Sequence, residues 1–194
     1  MDDPGQYNHP KENGMIPTLK DASFDSWDEY FMSMSFFVAM KSKDASSKVG
    51  AIIVDERRSI ISTGFNGFPR GVEDDVPARH KRPAKYRYTA HAERNAIDNA
   101  ILSGWRARNC RLYTQWAPCA GCAHGIIQCG AISEVIHHHP IDEMMSHLYG
   151  RHDWKDSVES ALEMLDEAGV RLRRYTGPIK TTIYQVCSEK VSIP

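Results

Sequence analysis

Two short segments restrict this chain more than any others: His91-Ala92-Glu93, and Pro118-Cys119-Ala120-Gly121-Cys122. Each reads as the opening of a helix. In a CxxC pair at a helix start, both sulfurs share one face of the first turn. The unpaired N–H groups and the positive dipole end there favour thiolates, the form that binds zinc. A CxxC pair alone is equally consistent with a redox role. His91 adds an imidazole to the two thiolates. That makes three ligands and leaves the fourth tetrahedral position of zinc to water, as in catalytic rather than structural sites. The other cysteines, Cys110, Cys129 and Cys187, contain no second closely spaced pair. Residues two apart in mid-helix point about 200° away from one another. His91 and Glu93 therefore approach one ion only if His91 stands at the helix entrance. HxE alone is a common accident of helix starts, and PCxxC alone leaves metal, redox and core roles open. Together, in this order, they point to a catalytic zinc.

The flanking sequence alternates strands with helices. Trp27, Tyr30, Phe31, Met34, Phe37 and Val38 recur near a helical period behind a cap at Ser26, which predicts a first helix over 26–43. Residues 49–54 and 60–63 are β-branched runs divided by a polar segment containing Asp55, Glu56, Arg57 and Arg58, the pattern of a hairpin. Further strands are expected over 110–114, 133–136 and 170–175. Helices are expected over 91–103, 118–129 and 156–168, stopped by Gly104, Gly130 and Gly169. This order predicts an α/β fold, a three-layer α/β/α sandwich around a central mixed sheet of about five strands. Gly64 to Gly71, and the polar stretch after it to about Thr89, are too rich in glycine and proline for regular structure. They read as one long loop of the kind that often carries function. Residues 1–22 are expected to form an extended or poorly ordered arm, 23–176 the domain itself, and 177–194 a tail.

Composition narrows the remaining classes. A length of 194 residues suits one α/β domain, and 41% apolar residues with a formal charge of -1 describe a globular chain, not a disordered tail or a strongly basic nucleic-acid binder. The longest apolar stretches fall far short of the roughly 20 residues that cross a bilayer. The polar amino terminus lacks the apolar core of a secretory signal, so a cytoplasmic location is the simplest expectation. Five cysteines, an odd number at irregular spacing, argue against a disulfide framework.

HxE followed by PCxxC resembles the signature of the zinc nucleobase deaminases. The chain is similar to the deoxycytidylate deaminase family over about 26–136. The likeness runs through Trp27 to Met32, Met40-Lys41-Ser42-Lys43-Asp44, Lys48 to Ala51, Gly64-Phe65-Asn66-Gly67-Phe68-Pro69-Arg70-Gly71 and Ile126-Ile127-Gln128. It implies a cytidine deaminase-like fold, one catalytic Zn2+ ion and hydrolytic deamination of dCMP to dUMP and ammonia, supplying the precursor for thymidylate synthesis. By the same likeness Glu93 is a proton shuttle, not a ligand: it takes a proton from the water that attacks C4, delivers it to N3, and helps protonate the departing ammonia.

For substrate binding the resemblance implies Asn66 at the sugar hydroxyl, Ala92, Trp116 and Ala117 around the pyrimidine, and Lys41 at the 5′-phosphate, where the family usually has an arginine. Lysine lacks the bidentate fork of arginine. Read without the likeness, Asn66 is a turn residue, Lys41 solvates a helix end and Trp116 belongs to the core. The basic residues Arg79, His80, Lys81, Arg82, Lys85 and Arg87 either supply a substitute cation or form solvated surface. His137-His138-His139 departs from the family and suggests either a second metal or a strand-end or pocket-rim role. Adjacent strand residues face opposite ways, so at most two of the three easily converge.

Family members are commonly homo-oligomers, hexamers or dimers, and many are activated by dCTP and inhibited by dTTP with Mg2+. By that likeness Gly64, Asn66, Gly67, Asp74 and Asp75 belong to a regulatory region, although two adjacent acids in a loop are also ordinary solvated surface. Two other functions fit the zinc motifs. One is deamination of a base in RNA or single-stranded DNA, as in tRNA adenosine deaminases, against which the near-neutral charge argues. The other is a non-catalytic, zinc-stapled nucleotide-sensing module.

Overall fold

The computed structural model describes residues 23–138, 152–180, 183–186 and 189–192. The arm expected over 1–22, His139 and Cys187 lie outside them. The helices are α1 (Trp27–Ala39), α2 (Lys85–Tyr88), α3 (Ala92–Leu102), α4 (Ala120–Gln128) and α5 (His152–Glu167). The strands are β1 (Gly50–Val54), β2 (Ile60–Phe65), β3 (Cys110–Thr114), β4 (Ile132–His138), β5 (Arg171–Tyr175), β6 (Ile183–Val186) and β7 (Glu189–Ser192).

Five strands form one mixed sheet in the order β2-β1-β3-β4-β5. β1 is antiparallel to β2 and β3, whereas β3, β4 and β5 run parallel. The short turn after β1 permits an antiparallel hairpin. The parallel pairs need crossovers, which α4 and α5 supply. β6 and β7 pair as a separate two-stranded ribbon in the expected tail.

Both faces of the sheet are covered, which gives the three-layer sandwich. Side chains alternate along a strand, so β1 serves two cores. Ile52 and Val54 pack with Phe31, Met32 and Phe36 of α1, while Ala51 and Ile53 pack with Ala96 and Ile97 of α3, Ala123 and Ile126 of α4, and Ala161 and Leu165 of α5. All five residues of β1 are buried, as expected for a strand covered on both sides. Ser26 caps α1, its Oγ accepting the Glu29 N–H at 3.1 Å.

Several boundaries differ from those the periodicity predicts. Helix α1 stops at Ala39, short of 43, because the following residues turn back toward β2: Ser42 Oγ donates to the Asn66 carbonyl at 2.7 Å, and Asp44 Oδ1 accepts the Ser46 and Ser47 N–H groups. Gly64 and Phe65 belong to β2, not to a loop. A 3-10 turn (Pro77–His80) and α2 interrupt the stretch read as irregular. β4 continues to His138, so His137 and His138 are buried strand residues, with the His138 ring edge-on to Phe36 at 5.5 Å. Neither belongs to a three-ligand cluster among the described residues. No described helix is long and apolar enough to cross a membrane.

Gly64 is where the sheet and α3 approach most closely. A Cβ there would stand 2.8 Å from the Ala96 Cα and would overlap the Ala92 carbonyl and the Ala96 N–H still more severely. These are backbone atoms of a packed helix, so nothing nearby can swing away. Gly64→Ala is therefore expected to lower the unfolding free energy by about 3 kcal/mol, the upper range for overpacking. Urea denaturation followed by circular dichroism measures it, and an unchanged midpoint would contradict the close approach.

Candidate functional site

The entrances of α3 and α4 meet at one end of the sheet. His91 is the N-cap of α3, with extended backbone (φ -76°, ψ 159°), so its side chain departs from the helical path. That is the placement which lets His91 and Glu93, in the first turn of α3, approach one point. Cys119 is likewise the N-cap of α4 (φ -78°, ψ 169°), and Cys122 lies in its first turn. His91 Nδ1 lies 3.4 Å from Cys119 Sγ and 3.3 Å from Cys122 Sγ. A tetrahedral zinc with bonds of about 2.0 Å to nitrogen and 2.3 Å to sulfur sets ligand atoms about 3.5 Å apart. The three residues thus fit a zinc ion. They are the cluster of three or more ligand-type side chains found among the described residues.

Burial and the hydrogen bonds and charges of the cluster itself perturb its titratable groups. The Cys119 thiol is lowered to about 4, chiefly because the Cys122 S–H donates to its sulfur and also through His91, with burial opposing. That same donation, with burial, pushes Cys122 well up. The His91 imidazole is raised to about 9 by its hydrogen bond to Cys119, again against burial. Burial raises the Glu93 carboxyl, and the neighbouring His91 charge opposes the shift. The shifts favour a thiolate on Cys119 and a proton kept on His91 and on Cys122.

A cavity of about 350 Å³ opens onto this cluster. Asn66, Ala92, Trp116 and Ala117, four of the residues singled out in the sequence, line it together with His91, Glu93 and Cys119. The Asn66 amide is pinned on one side, Oδ1 accepting the Val49 N–H at 2.8 Å and Nδ2 donating to the Ser47 carbonyl at 2.9 Å. One N–H and one lone pair of that amide remain.

Lys41 does not line this cavity. It is exposed and borders a neighbouring one of about 260 Å³, together with Gly67 and Asp74. Asp75 is exposed beside Lys43, whose Nζ lies 3.8 Å away, and Gly64 is buried under α3. The basic run is tied into the fold at several points. The His80 ring stacks on Phe68 at 4.8 Å, the Arg79 guanidinium lies over the Tyr88 ring, and the buried Lys85 pairs with Asp44 at 2.8 Å.

Trp154 and Ser157 are among the residues of the site that escaped the sequence reading. The Trp154 ring stands 6.1 Å from Trp116, nearly perpendicular to it, and 6.5 Å from His91. One turn on, Ser157 Oγ accepts the Ala120 N–H at 3.1 Å and so caps α4 from another helix. Both lie on α5, which begins a turn earlier than its apolar period shows. Their signal was the i, i+3 spacing of an aromatic and a hydroxyl in a polar stretch.

Residues 25–139 match the family described as cytidine and deoxycytidylate deaminase zinc-binding region. The deoxycytidylate deaminase of Pongo abelii is 41% identical over 154 residues, 77% of this chain and 79% of that protein. That of Mus musculus is 40% identical over 166 residues, 83% and 86% of the two chains. In fold, the chain is similar to the crystal structure of dCMP deaminase from the cyanophage S-TIM5 in complex with dCMP and dUMP. The TM-score is 0.54 at 22% identity, covering 84% of this chain and 100% of that one.

Zinc requires two thiolates and a neutral imidazole, whereas burial and hydrogen bonding favour a proton on Cys122 and on His91. Loading zinc is expected to release on the order of two protons per chain. Calorimetric titration in buffers of different ionisation enthalpy reads that number. Cys122→Ser is expected to lose most bound zinc by elemental analysis, and full zinc retention would remove Cys122 from the ligand set.

Proposed function

Because the chain belongs to the cytidine and deoxycytidylate deaminase family, we propose that it hydrolyses the 4-amino group of dCMP, giving dUMP and ammonia. The observation that carries the reading is the meeting of His91 Nδ1 and the Cys119 and Cys122 sulfurs beside the buried Glu93, at a cavity of about 350 Å³. His91, Cys119 and Cys122 hold the zinc. When bound, zinc supplies the Lewis acidity that makes water a nucleophile near neutral pH.

The protein's own groups do the rest. Glu93 accepts a proton from the attacking water and passes it to N3 as the new bond forms at C4. It then helps protonate the amino group, which leaves as ammonia while C4 becomes a carbonyl. A carboxyl raised by burial suits that exchange, since it must both take and return a proton near pH 7. Trp116 and Trp154 supply apolar walls that keep bulk water off the base, and the remaining N–H and lone pair of Asn66 serve a sugar hydroxyl. A mononucleotide is favoured over a polynucleotide by the formal charge of -1.

The proposal extends to regulation and assembly. The cavity of about 260 Å³ carries Lys41, Lys43 and Arg70 with Asp74, a charge set suited to a triphosphate with Mg2+, so dCTP and dTTP are the effectors to test there. Residues 23–176 make up the deaminase domain, acting in the cytoplasm as a homo-oligomer and supplying dUMP to thymidylate synthesis.

Zinc-loaded protein incubated with dCMP is expected to form dUMP and ammonia in equal amounts, read by chromatography and an ammonia assay. Absence of turnover with every pyrimidine mononucleotide would overturn the assignment. Glu93→Ala is expected to lower kcat roughly 10³-fold, within the usual range for a general acid–base group. One zinc per chain should remain, which separates lost proton transfer from lost metal.

A further inference from the structure

A nucleotide in the cavity must bring a 5′-phosphate that carries about −1.5 to −2 charges at pH 7. The position implied for it by likeness, Lys41, borders the neighbouring cavity instead. Among the described residues lining the 350 Å³ cavity, the charged side chains besides His91 and Glu93 of the zinc end are Asp44, Arg82 and Lys85. Lys85 and Asp44 neutralise one another. The ammonium donates to both carboxylate oxygens, at 3.0 Å and 2.8 Å, and both side chains are about nine-tenths buried. Burial disfavours the Asp44 charge, but Lys85 and the Ser46 and Ser47 N–H groups outweigh it and hold the carboxyl below its ordinary range. The pair is a fixed, neutral part of the wall, and Arg82 is the other cationic side chain at that end among the described lining residues.

Arg82 stands against the turn that this pair fixes. Its Nη2 donates to Ser46 Oγ at 3.2 Å, within the segment 44–47 that Asp44 closes. The anchored turn thus carries a guanidinium on the rim of the cavity. A guanidinium offers five N–H donors in a planar fork that matches two phosphate oxygens, which an ammonium cannot do.

We propose that Arg82 binds the 5′-phosphate and makes the site select a nucleotide over a nucleoside, in place of Lys41. This rests on the deaminase reading above. The phosphate is held but not altered, so Arg82 acts through substrate affinity and orientation.

The test compares dCMP with deoxycytidine as substrates of the zinc-loaded full chain. In Arg82→Ala the ratio of their kcat/KM values is expected to fall about 10- to 100-fold, the usual worth of a hydrogen bond to a charged group. Arg82→Lys should restore part of it, and Lys41→Ala should shift it less than threefold. A ratio unchanged in Arg82→Ala but lowered in Lys41→Ala would overturn the proposal. Calorimetric affinity for dUMP against deoxyuridine gives a reading independent of turnover. A loss of dUMP preference in Arg82→Ala supports the phosphate role, and an unchanged preference refutes it. If the unsubstituted protein turns over neither substrate, the deaminase reading fails, and the binding comparison still decides the role of Arg82.

Discussion

Everything at the site depends on how closely α3 sits on the sheet. Ala92, Ala96 and Ala100 form the helix face toward the strands, and Gly64 in β2 has no side chain to hold that face away. The close seating fixes where α3 begins, and therefore where His91, as its N-cap, leaves the helical path. Moving the helix outward by one methyl group would carry His91 and Glu93 away from Cys119 and Cys122, which belong to a different helix. A zinc ion bound by three residues on two elements tolerates little such movement, because its bonds are short and directional.

The site concentrates charge that the fold would otherwise avoid burying. Two cysteines, an imidazole and a carboxyl share one enclosed end of the molecule, where hydrogen bonds and opposite charges among them offset part of the cost of burial. Ser157 completes α4 from outside by accepting its Ala120 N–H, so α5 both closes the helix end and carries Trp154 to the cavity wall. A second charged network ties the opposite layer down. Arg173 bridges Asp28 of α1 at 2.7 Å and the buried Glu134 of β4 at 2.9 Å, while Tyr113 donates to Asp28 at 2.7 Å. It joins α1 to three strands, so α1 and the turn after it, which holds Asp44, keep a set position relative to the cavity.

Much of this was legible in the order of residues. The candidate ligands, the carboxyl beside them and the alternation of strands and helices all rest on local rules: helix caps, period-2 and period-3.6 patterns, and the chemistry of zinc. The readings that shifted rest on distant contacts. Gly64 and Phe65 look like loop residues until their pairing with Gly50 and Ala51 is seen, and α1 stops early because Ser42 finds a partner at Asn66. Trp154 and Ser157 lie at the polar start of an amphipathic helix, and only the folded chain shows that Ser157 meets the start of α4 while Trp154 meets Trp116 and His91.

The sequence by itself determined which atoms can do the chemistry, since an imidazole, two thiols and a carboxyl at helix entrances keep their properties wherever the chain runs. Only the tertiary structure decided what surrounds them: that Lys41 borders one cavity and Arg82 another, and that Lys85 is cancelled by Asp44. The reason is physical. Ligand geometry follows from caps spanning a few residues, whereas the electrostatics of a cavity are set by side chains distant in sequence, whose separation local rules do not specify.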